Sequence, residues 1–563
     1  MKNFEVANLL YKIADILEMQ NVQWKPQAYR RAAQSIENMS EDIEVLYKQG
    51  KLKEIPGVGK AIAEKISEYL ATGKLRYYEK LKKKLPVKLD ELMSVPGLGP
   101  KKIMNLYNKL HIKNVRELEA AAKKHKIQKL EGMGTKSEVD IITGIERMRR
   151  SAGRMLLGFA IPIAEDIHRK LSSLAYVKDV KIVGSYRRCK ETIGDFDILV
   201  VSPKPKLVMD FFASMPNVKN IEAKGSTKTS VTLDMGMDAD LRVFSKEEFG
   251  AAMLYFTGSK EHNILIRRLA MKKGWKLSEY GLFKGKKRIA GKTEQEVYRK
   301  LGMQYIPPEM REANGEIELA MKRKIPKLIE LKDIRGDLQL HTTYSDGTNS
   351  IKEIAGAAKQ RGYDYIAITD HYGSLKIAGA MTPAEARKQW KEINGIKSIH
   401  VLKGVEININ KNGSLDMDKK LLDGFDIRLI AVHSSFKMPA QEQTKRLLKA
   451  VESGYANVLA HPMTRMIGKR DEIKFNIEKV FQACKDNKVA LEIDAYPDRS
   501  DLRDVYLRIA KELGCKISMG TDAHNADSLR FMEIGVGMAR RGWLEKKNII
   551  NTMTYSQLKK WLK

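Results

Sequence analysis

Residues 184–201 read GSYRRCKETIGDFDILVV. Asp195 and Asp197 alternate with Phe196 and Ile198 ahead of an apolar run, which is the period of a strand. Both carboxylates then share one face, and the two apolar side chains share the other. Like charges held that close are costly unless a cation sits between them. Upstream, Gly184-Ser185 and the adjacent Arg187 and Arg188 form a turn suited to anionic oxygens, with arginine as a charge-assisted donor. Downstream, VTLDMGMDADLRVF (231–244) offers a third acid in Asp234, Asp238 or Asp240. Asp240 directly precedes LRVF and is expected to join Asp195 and Asp197 at one strand edge. Three such carboxylates suit two Mg²⁺ ions and a triphosphate, with Ser185 and Arg188 as its contacts. Positioning and charge neutralisation carry that chemistry.

The chain has 563 residues, too many for one core, and several domains are expected. No run of 18 apolar residues is present, which excludes a helical membrane span, and the opening MKNFEVANLLYKIADILEM reads as an amphipathic helix rather than a cleavable signal. Three cysteines, Cys189, Cys484 and Cys515, lie far apart and suggest no disulfide framework. A cytoplasmic location is expected. With 102 Lys and Arg against 70 Asp and Glu, the formal charge is +32. That excess suits a polyanion partner, or a solubilising surface alone; the motifs decide.

LKEIPGVGKAIAEKI (52–66) recurs as LMSVPGLGPKKIMNL (92–106), with a weaker copy in IQKLEGMGTKSEVDI (127–141). Each is an apolar helix end, a tight glycine turn and a lysine-bearing second helix. Such a turn presents backbone N–H groups to a phosphate without reading sequence. The pattern resembles the helix-hairpin-helix clamp on a DNA backbone, with Gly57, Gly59 and Lys60 in the first copy and Gly97, Gly99 and Lys101 in the second. From about residue 176 strands appear in VKDVKIVGS, FDILVV and ADLRVF. Residues 316–333, charged and carrying Pro326, are expected to be a linker.

GSYRR…GDFD, DLRVF and LYFTGSKEHNILIRR (254–268) together resemble the family X DNA polymerases, the polymerase-beta-like enzymes, over the first ~315 residues. The resemblance implies that Asp195, Asp197 and Asp240 are the catalytic ligands of Mg²⁺ or Mn²⁺. It makes Ser185, Arg188 and Gly194 the triphosphate contacts. Tyr255 and Phe256 would pack on the incoming sugar beside the Gly258 turn, and Asn263 and Arg267 would reach the nascent base pair. Cys189 stands where the pattern usually has glycine. WKPQAYRRAAQSIE (24–37) resembles the family's small lyase domain, so that Lys65 would form the Schiff base and Lys25 would touch a 5′-phosphate.

Seven apolar runs in residues 336–563 each end in a candidate ligand: GDLQLHTTYSDG, YIAITDH, HVLKGVE, IRLIAVH, NVLAHP, VALEIDA and KISMGTDAH. Ligands at strand C-termini are the layout of a metal-dependent barrel. This half resembles the PHP domain (polymerase and histidinol phosphatase), a distorted (β/α)7 barrel with up to three ions. The ligands would be His341, Asp346, His371, Glu406, His433, His461, Asp522 and His524, holding Mn²⁺ or Zn²⁺. The family's opening HxH reads Gln339-Leu340-His341, which exchanges one imidazole for an amide, and Asp494 is an additional acid.

The expected fold is therefore a multidomain α+β and α/β chain. Residues 1–80 form the lyase-like helical domain and 81–150 the second helical DNA-binding subdomain. Residues 151–246 form the nucleotidyltransferase palm, 247–315 a thumb-like subdomain that binds the nascent pair, and 334–563 the barrel. The expected activity is gap filling from dNTPs on gapped or nicked, 5′-phosphorylated DNA in base excision or end joining, by a monomer. The barrel would add 3′-5′ exonuclease, 3′-phosphatase or abasic-site endonuclease chemistry. Two rivals share part of the sequence: a template-independent or RNA-directed nucleotidyltransferase, and a DNA-end-binding scaffold with an inactive barrel. The duplicated clamps and YFTGS oppose the first, and the intact trio of acids opposes the second.

Overall fold

The structure is a computed structural model describing residues 2–563 apart from 21, 38, 40–41, 84, 96–97, 152 and 375–377. Helix Asn3–Met19 lies along helix Lys25–Glu37. Val6, Leu10, Ile13 and Leu17 of the first meet Ala32, Ala33 and Ile36 of the second at helical spacing. The same apolar core continues through the later hairpins to Ile145, so the expected boundary at residue 80 divides one helical body without dividing its core. The three glycine turns close alike, by hydrogen bonds from Val58 to Ile55, Leu98 to Val95 and Met133 to Leu130 at 3.0–3.1 Å. Gly59 and Gly99 cap helices Lys60–Thr72 and Pro100–Leu110.

The palm is a five-stranded sheet in the order Asp179–Ile182, Asp195–Val201, Asp238–Phe244, Lys228–Leu233, Val218–Lys224. Only the central pair, Asp195–Val201 and Asp238–Phe244, is parallel. Phe196, Ile198, Val200, Ala239 and Leu241 point into a core closed by helices Leu157–Ser172 and Pro205–Ala213. The alternate residues emerge on the opposite face. There Leu199, Val201 and Phe244 are covered by helix Phe249–Thr257, which leaves the Asp195 end of the same face open. Asp240 lies inside its strand rather than ahead of it.

Beyond the palm, helices Phe249–Thr257, Lys260–Lys272 and Glu294–Leu301 and a three-stranded antiparallel sheet (Trp275–Ser278, Gly281–Lys284, Lys287–Ala290) make the thumb-like unit. Residues 316–333 differ from the linker expectation. Helix Glu316–Met321 sends Ile317 and Ala320 into the thumb core, and Ile329 hydrogen-bonds Leu544 of the barrel at 3.0 Å. The charges mark the outer face of a packed strap.

All seven apolar runs become parallel strands: Gly336–Asp337, Tyr365–Ile368, His400–Asn408, Ile427–Ala431, Val458–Leu459, Ala490–Asp494 and Ile517–Gly520. Leu338 hydrogen-bonds Met519 and His341 hydrogen-bonds Ala523, joining the first run to the last in a nearly closed barrel. A short extra strand, His371–Tyr372, pairs with the third.

Candidate metal centres and nucleic-acid interface

Parallel register decides which acids meet on the palm. Asp195 stands opposite Asp238, and Asp197 opposite Asp240. Asp238 is exposed and accepts from Thr232 at 2.9 Å, and Asp234 is exposed in the turn that joins strands Lys228–Leu233 and Asp238–Phe244. Burial, then Asp195 and Asp240, pushes Asp197 up to about 7. Burial followed by Asp240 also raises Asp195. Burial works in the same sense on Asp240, but hydrogen bonds from Ser230 and Lys228 outweigh it and hold that carboxyl low. Lys228 Nζ lies 2.9 Å from Asp240 Oδ2. Among the described residues, the groupings whose ligand atoms all lie within 4.8 Å of one another fall in the barrel, so the palm trio is a looser set than a single-ion cage. Burial together with repulsion among the acids raises two of the three carboxyls, and that is the electrostatic condition a divalent cation relieves.

The turn before this strand fits against it. Gly184 has φ +65°, and a Cβ there would lie 2.5 Å from Asp197 Oδ2, so only glycine brings the turn this close. An open cleft of about 450 Å³ spans the turn, two of the three acids and the thumb. Ser185, Arg188, Asp195 and Asp197 line its palm side, and Tyr255, Phe256, Gly258, Asn263 and Arg267 its thumb side. Tyr255 and Phe256 pack edge to face at 5.0 Å, and Asn263 Nδ2 donates to the Tyr255 carbonyl at 2.6 Å. Gly194 stands beside the cleft, where a Cβ would come 3.1 Å from Arg154 Nη1. Arg154, Lys190 and Lys260 also line the cleft and were not singled out from the sequence. Arg154 follows Arg147, Arg149 and Arg150 in a basic stretch, and nothing in its spacing sets it apart from them. Arg187 turns away from the cleft to Glu294, at 2.6 and 2.9 Å.

In the helical body, Lys65 Nζ donates to the Ala61 carbonyl at 3.0 Å and lies 4.9 Å from the Tyr77 ring centroid. Lys60 and Lys101 are exposed on the second helices of their hairpins, and Lys25 is exposed at the start of helix Lys25–Glu37. Gly57 has φ +80° and packs on the backbone of Arg31 and Ala32. Gly97 lies outside the described residues.

The barrel ligands converge in three overlapping groups: His341, Asp346, His371 and His524; His371, Glu406 and His433; and His341, Glu406 and Asp522. Glu406 belongs to two of them. Its Oε1 is 2.9 Å from both His433 Nε2 and His461 Nε2, and its Oε2 is 3.1 Å from Gln339 Nε2. The strand register His371↔Glu406 sets two of these side chains abreast. Burial would raise Glu406, but His371 and His433 dominate and hold it far below the carboxylate range. Both ring nitrogens of His341, His371 Nδ1, Asp346 Oδ1 and Gln339 Oε1 are buried without a hydrogen-bond partner. Buried polar atoms are rarely left so; several converging on one pocket fit metal ions. Gln339 holds Glu406 through its amide nitrogen and leaves its carbonyl oxygen buried and unpartnered.

Two participants escaped the sequence reading. Glu492, buried on strand Ala490–Asp494, accepts from the His461 backbone N–H at 2.7 Å and leaves Oε1 unpartnered. Arg499 Nε lies 3.3 Å from Asp494 and 3.4 Å from Asp522, so Asp494 is tied up in an ion pair at the rim. An acid inside the apolar run VALEIDA was the available sign for Glu492. No motif marks Arg499.

Family models match four segments: a helix-hairpin-helix domain at residues 1–75, a SAM-like helix-hairpin-helix tandem at 89–147, the DNA polymerase beta thumb at 252–312 and the PHP domain at 337–496. The DNA polymerase/3′-5′ exonuclease PolX of Bacillus subtilis (strain 168) is 36% identical over 572 residues, spanning 100% of both chains. DNA polymerase lambda of Arabidopsis thaliana is 26% identical over 348 residues, 55% of this chain and 62% of its own. A probable phosphatase of Thermoanaerobacter sp. (strain X514) is 27% identical over 238 residues, 40% of this chain and 94% of its own. Full-length identity of that degree, together with the thumb and barrel matches, makes the chain a member of the family X DNA polymerases that carry a C-terminal PHP domain.

Proposed function

We propose that the chain is a DNA-directed DNA polymerase that fills short gaps during base excision or end-joining repair, with a 3′-5′ exonuclease and 3′-phosphatase in the barrel. The observation that carries the polymerase reading is the parallel register setting Asp197 opposite Asp240, with Asp195 on the same open face. Divalent ions held by these three residues, Mg²⁺ or Mn²⁺, would supply Lewis acidity and neutralise the triphosphate and departing pyrophosphate. Around them, Ser185 and Arg188 anchor the phosphates, and Arg154 and Lys190 add positive charge along the same wall. Tyr255 and Phe256 hold the sugar, while Asn263 and Arg267 reach the new base pair from the helix beside them. Gly59, Lys60, Gly99 and Lys101 seat the hairpins on backbone phosphates on either side of the gap.

In the barrel, Mn²⁺ or Zn²⁺ held by His341, Asp346, His371, Glu406, His433, His461, Asp522 and His524 would polarise a terminal phosphoester and supply the nucleophile for its hydrolysis. Gln339 and Glu492 orient Glu406 and His461. Abasic-site cleavage uses the same phosphoester chemistry. The relative described as a probable phosphatase, matching 40% of this chain, supports the 3′-phosphatase assignment. Lys65, half-buried beside Tyr77, is the candidate lyase amine, with Lys25 as its 5′-phosphate contact. The chain works as a monomer on cytoplasmic, nucleoid-bound DNA; among the described residues no helix is long and apolar enough to cross a membrane.

The test is extension of a one-nucleotide, 5′-phosphorylated gap with dNTPs and Mg²⁺ or Mn²⁺, run beside degradation of a 3′ single strand. Asp240→Ala should abolish extension only, and His341→Ala degradation only. Extension by Asp240→Ala at the wild-type rate would remove the polymerase assignment.

A further inference from the structure

The GSYRRC turn does not stand on the palm alone. Helix Met532–Arg541 of the barrel domain lies against it. Gly537 comes so near that a Cβ there would sit 2.9 Å from Cys189 Cβ and 3.0 Å from its Sγ. At the end of this helix, the buried Arg541 donates through Nη1 to the Arg188 carbonyl and to Glu312 Oε1, each at 2.9 Å. Its Nη2 pairs with Asp504. Glu312 Oε1 also accepts from Arg188 Nε at 3.1 Å. Three residues beyond Arg188, Glu191 makes a two-point ion pair with Arg465 of the barrel, at 2.6 and 3.1 Å. The carbonyl and the side chain of Arg188 are thus both held by contacts that end in the barrel domain.

This arrangement suits an anion-binding arginine. A free guanidinium on a cleft wall samples many rotamers, and fixing it before the ligand arrives removes that cost from binding. Glu312 takes the Nε edge of Arg188 and the Thr257 carbonyl takes Nη1, leaving Nη2 without a hydrogen bond to the described residues. A carboxylate paired with Arg188 alone would cancel its charge. Glu312 is instead shared with Arg541 and, at 3.7 Å, with Lys190, so the group keeps net positive charge beside the cleft.

We propose that Arg541 is a positioning residue for nucleotidyl transfer: acting through Glu312 and the Arg188 carbonyl, it holds Arg188 with its free edge toward the nucleotide's triphosphate. The barrel domain is then a structural part of the polymerase site, independent of its own metal chemistry. This rests on the reading of Arg188 as a triphosphate contact.

The test uses the full-length chain on gapped DNA, measuring kcat and the KM for dNTP, with exonuclease rate on the same preparation as a control. Arg541→Gln is expected to raise the KM for dNTP about tenfold while kcat stays within about threefold and exonuclease is unchanged. Gly537→Ala, which favours the helix but pushes on the turn, should raise KM similarly. Adding Cys189→Gly, which removes the clashing atoms, should restore it. Arg188→Ala is the reference and should raise KM at least tenfold. If Arg188→Ala does so while Arg541→Gln and Gly537→Ala leave KM within about twofold, the proposal fails and the polymerase assignment stands. A parallel fall in kcat and exonuclease rate with KM unchanged would mark the contact as merely structural and also overturn it. An Arg188→Ala protein with wild-type KM removes the premise and the proposal together.

Discussion

Asp197 and Asp240 are direct partners across two parallel strands, in a sheet whose other pairings are all antiparallel. That register sets Asp240, rather than Asp234 or Asp238, opposite Asp197. Asp240→Asn or Asp197→Asn should lower single-nucleotide incorporation at least about 10²-fold. Asp238→Asn, whose carboxylate is turned to Thr232, should extend gapped DNA near the wild-type rate. Primer extension on one gapped substrate separates the three.

Gly184 gives a backbone version of the same test. Alanine there meets Asp197 Oδ2 and must adopt a left-handed conformation costing about 1–2 kcal/mol. Gly184→Ala should lose polymerase activity while exonuclease persists, with a melting temperature only a few degrees lower. Wild-type extension by this variant would show that the turn does not press on the acid.

Glu406 joins two of the three ligand groups in the barrel. Glu406→Gln should release bound metal, measured as ions per chain by elemental analysis, and abolish exonuclease while leaving gap filling intact. Gln339→His, which returns an imidazole to a position whose carbonyl oxygen now stands unpartnered, should tighten retention of Zn²⁺ or Mn²⁺ against a chelator. A chelator challenge that strips the wild type and Gln339→His at equal rates would count against Gln339 facing the ions.

Glu294 ties the palm to the thumb through Arg187 and the fully buried Arg311. Burial would raise its carboxyl, but the two arginines prevail and hold it near 2, against 4.5 when unpaired. A carboxyl with a depressed folded-state value contributes fully above 4.5, less as pH falls, and nothing below about 2. Glu294→Gln should therefore cost about 3 kcal/mol at pH 7. The gap between mutant and wild type should close between pH 4.5 and 2. Denaturant titrations of both proteins across that window check the sign.

Much of this molecule was legible along the chain because its signals are local. Alternation in DFDILVV placed two acids on one face of a strand, the repeated Pro-Gly-x-Gly turns marked the hairpins, and seven apolar runs ending in ligands became seven barrel strands. Those patterns depend on backbone period and turn geometry, which neighbouring residues set. Which of Asp234, Asp238 and Asp240 meets Asp197 depended on inter-strand register, a relation between residues 43 apart in the chain that no local spacing encodes. The same holds for Glu492 behind His461, for Arg499 on Asp494, and for the strap at 316–333, whose charges hid buried Ile317 and Ile329. Arg541 is the extreme case: only packing of the barrel helix on the palm brings it to Arg188, because such contacts are chosen by the fit of whole surfaces rather than by the residues beside them in the chain.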